Sequence, residues 1–481
     1  MLFTSFEFPV LLFFLGLIYY LVPGRVQWIV LLVCNVLFLS GNGKAAVLLF
    51  FMTGITWIFS AVINRCQNKK QRRQIFLLSL FFQVGIILYF KLFCDNMPFG
   101  LAYYGLMTIS YQTEIYRKHT KWIANPLQLV TAVSFFPLLV QGPVTLYDNM
   151  EKILQTHRFQ MNRACFAIQR ILWGYFKKLV IADRLSGAIS MLMGDPEYYT
   201  GAYVLIGMLF YAAQLYADFT GGIDITIGIA QFFGIHVEEN FIRPFFSKNI
   251  AEYWRRWHIT MGTWFRDYVF YPMSISKPLK KLTSTTKKHF GMAGARRVAV
   301  YISTMVTWFA TGIWHGAAWH FVAWGLVNGV IILISEECTP LYNKFHHRFP
   351  KLGNSWGYRA FQVIRTFLMM CCIRLFDTYA SVRGAIRQFI HMFTQFDLSK
   401  VTGKELLDLG LSVQDYCIVA FGVVAMFTVS MCGRNGSVRE KISQKPYVIR
   451  YGLFVLLFFA VLLLGSYGVG FEAQQFIYNQ F

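Results

Sequence analysis

Apolar runs approaching the ~20 residues needed to cross a bilayer recur from one end of this chain to the other. They occupy residues 8–21, 28–39, 45–63, 75–92, 127–144, 202–216, 298–334 (long enough for two passes), 361–375, 416–431 and 451–467. In hydrocarbon every backbone N–H and C=O must find a partner inside the protein, so such runs fold as helices. An all-α, polytopic integral membrane protein with about ten to twelve crossings follows. The first run lacks a basic n-region and a small-residue cleavage site, so it is expected to be retained and not removed as a signal peptide. Residues 99–116 and 165–181 are more mixed and suit the interface or the protein interior. With no internal repeat and no low-complexity linker, one integral domain over residues 1–481 is the simplest organisation. The absence of inverted halves speaks against a secondary transporter.

Charge sharpens this picture. The net charge is +22, and the basic residues gather in short segments at 65–73 (RCQNKKQRR), 277–297 and 434–450. In a membrane protein these are positive-inside loops that meet anionic lipid headgroups, and nucleic-acid binding is not expected. With 65–73 on the cytoplasmic side, both chain termini fall outside the cell membrane. The nine cysteines show no C-x-x-C spacing, and no metal site is expected.

The central third departs from the lipid-facing pattern. From 214 to 325 it mixes aromatic, small and charged residues, as suits segments that are re-entrant or buried within the helical assembly. Its most informative piece is TGIWHGAAWH, Thr311–His320, which interrupts the 298–334 run. An ionisable group there is costly unless it faces a polar cavity or a partner. Gly312 and Gly316 point to a locally broken helix, tolerated where backbone lines such a cavity. His315 is therefore the first candidate for chemistry. A neutral imidazole accepts a proton near neutral pH, so general-base work fits. His320, five residues on, is not placed to share an i, i+4 metal site with it.

Three further constellations stand out. In residues 243–272, His258 follows Arg255-Arg256-Trp257, with Arg266-Asp267 beyond it. A continuous helix would put His258, Gly262, Phe265 and Arg266 on one face. The bland alternative is an amphipathic helix anchored by Trp254, Trp257 and Trp264. In YADFTGGID, Asp218 and Asp224 can orient a histidine, or serve as buried partners of Arg243, Arg255 or Arg256. The last six residues, FIYNQF, form an ordinary aromatic belt unless Tyr478 reaches a cavity and carries an acyl group.

Together these stretches resemble the membrane-bound O-acyltransferase family, in its branch of bacterial alginate O-acetyltransferase-type proteins. The likeness rests on FFPLLVQGPVTLY (135–147), GYFKKLVIADRL (174–185), YADFTGGIDITIGIAQFFGI (216–235), the 240–272 stretch with RRWH, GIWHGAAWHFVAWG (312–325), and the two chain ends. Thr220-Gly221-Gly222 departs from the Ser-Gly-Tyr more often found in that branch. The resemblance implies a ring of tilted helices around a thin centre, joining a cytoplasmic pocket to an outer funnel. It implies His315 as the catalytic histidine, His258 as the second, and Tyr478 as an acyl relay. A related branch, the teichoic-acid D-alanyl transferases, usually differs after RDYV and WHG, which favours acetyl transfer here.

The expected activity is then O-acylation across a bacterial cell membrane. Acetyl-CoA, a substrate and not a bound cofactor, would offer its thioester from the cytoplasm, its phosphates drawn by Arg255, Arg256 and loop lysines. Trp257, Trp314, Gly316 and Asp267 would line the site, with indole or backbone donors near Trp314 and Gly316 steadying the oxyanion. A separate extracytoplasmic transferase would pass the group to a polysaccharide or cell-wall polymer. Two readings of other classes remain at this point. One is a flippase of lipid-linked saccharides with His315 as proton relay, and the other a non-catalytic scaffold.

Overall fold

The computed structural model describes residues 3–5, 7–94, 96–145, 147–399, 401–467 and Phe476. Among them every regular element is helical, apart from an isolated antiparallel bridge between Phe241 and Trp257. Among the described residues six helices are long and apolar enough to cross a membrane: Gly43–Arg65, Lys69–Phe93, Ala202–Phe232, Trp319–Glu337, Val413–Asn435 and Tyr447–Leu464. Shorter apolar helices cover Glu7–Leu21 and Gly24–Leu39. The protein is an all-α, multi-pass membrane protein. The chain divides into two compact units. One comprises Met1–Ser186, Ala213–Glu239 and Ser412–Phe481, the other Gly187–Ala212 and Asn240–Leu411.

In the first unit, the run at 127–144 is not a single helix. It breaks at Ser134 and Phe135 into Pro126–Val133 and Phe136–Gln141. Pro137 cannot donate into a continuous helix, so it starts a new one. Asn35 bridges the break: its Nδ2 donates to Thr131 O at 3.1 Å and Ser134 Oγ at 2.9 Å, and its Oδ1 accepts from Phe136 N. The mixed segment at 99–116 becomes Leu101–Arg117, buried on nearly every side, and so lines the interior.

Glycines bring two further helices of this unit to backbone contact. A Cβ on Gly174 would lie 2.6 Å from Gly221 O, and one on Gly221 would lie 2.9 Å from Gly174 O. Such close approach is how small residues drive helix association in lipid. The segment Phe176–Ala182, which follows Met161–Tyr175, is a π-helix, an uncommon geometry that often marks function.

In the second unit, helix Lys277–His315 is followed after a short break by Trp319–Glu337. Gly291, at φ 70°, interrupts the first of these between its lysine-rich start and its apolar end. The pair also packs through glycines. A Cβ on Gly325 would meet Trp308 O at 2.3 Å, and one on Gly312 would meet Phe321 O at 2.7 Å. Val204, Met208, Cys371, Leu375, Tyr379 and Met392 form a separate apolar core.

Candidate active site

His258 does not continue a helix. Helix Ile250–Arg256 ends before it and Ile259–Phe265 begins after it, and His258 itself is left-handed at φ 48°, ψ 52°. The continuous amphipathic face expected from sequence is thus cut at the histidine. The cause is tertiary. Residues 240–242 pair with 256–259: Ile242 N donates to Arg256 O, and Ile259 N donates to Asn240 O, both at 3.0 Å. The Asn240 side chain then collects three donors on one oxygen. Its Oδ1 accepts from Thr260 N (3.1 Å), Thr260 Oγ1 (3.0 Å) and His258 Nδ1 (3.3 Å). An amide oxygen cannot donate, so Nδ1 carries the proton and Nε2 carries the lone pair of the neutral ring. His258 is fully buried at 0% exposure and lies outside the six spans. Burial pushes its imidazole down to about 3, because the charged form has lost its water.

His315 is the last residue of Lys277–His315, at 7% exposure. The break expected from the glycines is present, with Gly316 extended at φ −175°. Space, not φ, makes this position a glycine, since a Cβ there would sit 2.0 Å from the Phe321 ring. Tryptophans surround the histidine. Its ring lies 4.5 Å from Trp324 and 5.0 Å from Trp314, between centroids. Trp314 in turn meets His258 at 6.0 Å, so one indole links the two candidate histidines. Trp324 is held by its own neighbours: Trp254 packs on it at 5.6 Å and donates its Nε1 to Asn328 Oδ1 at 3.1 Å.

Two details correct the expected oxyanion donors. The Gly316 N–H donates to Gly312 O at 3.1 Å, closing the last helical turn, so it is not available to a developing oxyanion. Trp324, which the sequence reading did not single out, has its Nε1 buried without an acceptor among the described residues. At 1% exposure, its ring lies 4.5 Å from that of His315 between centroids. The only hint in the sequence was an aromatic nine residues beyond the histidine, within the same apolar stretch.

The other candidate residues divide. Trp257 is buried in a stack with Tyr253 and beneath Arg374, whose Cζ lies 4.5 Å over the indole, so it anchors the fold around His258. Arg255 is exposed, and Arg256 pairs with Glu252 at 2.5 Å. Asp267 pairs with Arg266 at 2.8 Å on a partly exposed face. Tyr478 lies outside the described residues. His320 donates Nδ1 to Phe376 O at 2.7 Å, a structural tie. Among the described residues no three His, Cys, Asp or Glu side chains gather as a metal ion would need.

The first unit holds a second polar centre, and there Asp218 and Asp224 find partners other than the arginines expected. Asp224 binds Lys177 Nζ at 2.6 Å and Arg170 Nε at 2.7 Å. Asp218 binds Lys178 Nζ at 2.6 Å, and Asp183 meets the same ammonium at 2.8 Å. Both lysines belong to the π-helix and are buried. Two adjacent lysines inside the apolar FKKLVI were the available signal, but Asp218 lies 40 residues from Lys178 and Asp224 lies 47 from Lys177.

Comparison with known proteins agrees with these features. The model of the MBOAT, membrane-bound O-acyltransferase family matches residues 110–286. The chain is 28% identical over 478 residues to a protein of Pseudomonas syringae pv. tomato named probable alginate O-acetylase AlgI, covering 92% of this chain and 84% of that protein. It is 26% identical to the peptidoglycan O-acetyltransferase of Helicobacter pylori, covering 53% of this chain and 50% of that protein. It is also 26% identical to the teichoic acid D-alanyltransferase of Bacillus subtilis, covering 51% and 59%. Over its central residues the chain is thus similar to the membrane-bound O-acyltransferase family, and this match together with the names of its relatives supports an O-acyltransferase.

Proposed function

We propose that the protein takes an acetyl group from acetyl-CoA on the cytoplasmic side and delivers it for O-acetylation of an extracytoplasmic polysaccharide or cell-wall polymer. The observation that carries this reading is His315, buried between Trp314 and Trp324 at the end of its helix. His315 takes the proton of an acceptor hydroxyl while that oxygen bonds to the thioester carbonyl carbon. The Trp324 indole N–H stabilises the oxyanion of the tetrahedral intermediate. Collapse of that intermediate breaks the C–S bond, and the proton passes from His315 to the CoA sulfur. His258, neutral and held by Asn240, shapes the site through Trp314. Exposed Arg255 and the loop lysines attract the donor's phosphates.

The first acceptor is the Tyr478 phenol, which later yields the acetyl group to a hydroxyl of the polymer on a separate extracytoplasmic transferase. The acyl group then crosses the bacterial plasma membrane while CoA stays inside, and both chain termini face outward. Membranes carrying the His315→Ala variant at normal expression should transfer no label from radiolabelled acetyl-CoA. Undiminished transfer would remove His315 from this role. A second reading, D-alanyl transfer to teichoic acid, draws on the likeness to the Bacillus subtilis protein. Label from a D-alanyl thioester, with none from acetyl-CoA, would select it.

A further inference from the structure

The first unit contains a built seat for an aromatic ring, and Phe476 occupies it. Phe476 is 2% exposed, and its ring lies 4.8 Å from the Lys178 ammonium. That ammonium is fixed from its other sides by Asp183 and Asp218, whose side chains are 8% and 2% exposed. Gln141 completes the frame, its Nε2 donating to Asp218 Oδ2 at 3.4 Å. What opens the space is Gly222. A Cβ at that position would stand 3.0 Å from the Phe476 ring and 1.6 Å from Gln141 Oε1.

We propose that Gly222, Lys178 and Gln141 form the seat of Phe476, and that Phe476 is a positioning residue for acyl transfer. The inference rests on the reading that Tyr478, two residues on, accepts the acyl group. A ring held over a desolvated, ion-paired ammonium is attracted by its quadrupole and cannot be replaced by bulk alone. The seat therefore fixes the start of the span that Tyr478 must cover.

The full-length protein in membranes tests this with two independent readouts. A photoreactive benzoylphenylalanine at 476 should cross-link to peptides containing residues 141, 178 or 222, and Gly222→Leu should abolish that product. Cross-links found only elsewhere would overturn the seat, whatever the activity. In labelled acetyl-CoA assays Phe476→Ala should lower transfer at least tenfold and Phe476→Leu by less, with Phe476→Trp near wild type and the KM for acetyl-CoA unchanged. Full transfer by Phe476→Ala, where Tyr478→Phe is inactive, would refute the positioning role and leave the relay standing. Unlabelled wild-type protein would refute the donor assignment, and the cross-link then decides the seat by itself.

Discussion

A histidine whose ring nitrogen is committed to an amide oxygen cannot behave like one open to solvent. His258 donates Nδ1 to Asn240, and burial holds its imidazole at about 3 against an ordinary 6.5. The folded state therefore binds fewer protons than the unfolded chain below pH 6.5, so stability falls as pH drops from 6.5 toward 3. Thermal unfolding of detergent-solubilised protein should show this decline, and His258→Gln should flatten it. An unchanged slope in the variant would mean that another group dominates. The Trp324 indole allows a cleaner dissection of the chemistry. Trp324→Phe keeps an aromatic ring beside His315 but removes the N–H, and loss of one oxyanion donor costs about 10²-fold in kcat. An acyl-transfer rate within twofold of wild type would place the oxyanion elsewhere. The helix break after His315 was legible from the chain because Gly312 and Gly316 flank an ionisable group in an apolar run. Asn240 was not, since nothing in its own neighbourhood shows that it caps Thr260 and turns His258 left-handed.

At the scale of elements, helix contact in both units is set by missing side chains. Gly325→Ala would press a Cβ against Trp308 O, a backbone atom that cannot swing aside. Overpacking of this kind costs about 1–3 kcal/mol, and it moves the helix that carries Trp324. The variant should melt several degrees lower and lose most activity. Gly54→Ala, in a helix where nothing lies within 4 Å of the added atom, should leave both unchanged. Equal behaviour of the two variants would argue against close packing as the cause. The apolar runs located most of these elements, because in hydrocarbon they leave the backbone little choice but a helix, and the helical repeat then filled in their faces. It failed at RRWHITM, where the 3.6-residue pattern continues across a break imposed by residues 240–242. It failed again at 127–144, where Asn35 holds a broken helix together from a distance.

Across the whole molecule, the proposed orientation, with the basic segments on the cytoplasmic side, can be read out on one native thiol. Cys66 sits in the basic segment between Gly43–Arg65 and Lys69–Phe93 and is partly exposed. In a variant keeping Cys66 alone, a membrane-impermeant maleimide should label inside-out vesicles and spare intact cells. Labelling of intact cells would invert the orientation and set the donor on the wrong side. Composition and charge made the membrane class plain from sequence. The pairing of Lys178 with Asp218 and of Lys177 with Asp224, 40 and 47 residues away, was hidden, because charges within one apolar run do not announce their partners. That pairing also limits how a chain like this can change over time. A π-helical turn holds a residue more than an α-helical one, and each residue in a helix turns by about 100°. Deleting a single residue between Phe176 and Ala182 would tighten the turn and swing one lysine off its carboxylate. Substitutions on the lipid-facing surface can accumulate freely, while insertions and deletions in this seven-residue stretch should be purged from any lineage that keeps both ion pairs.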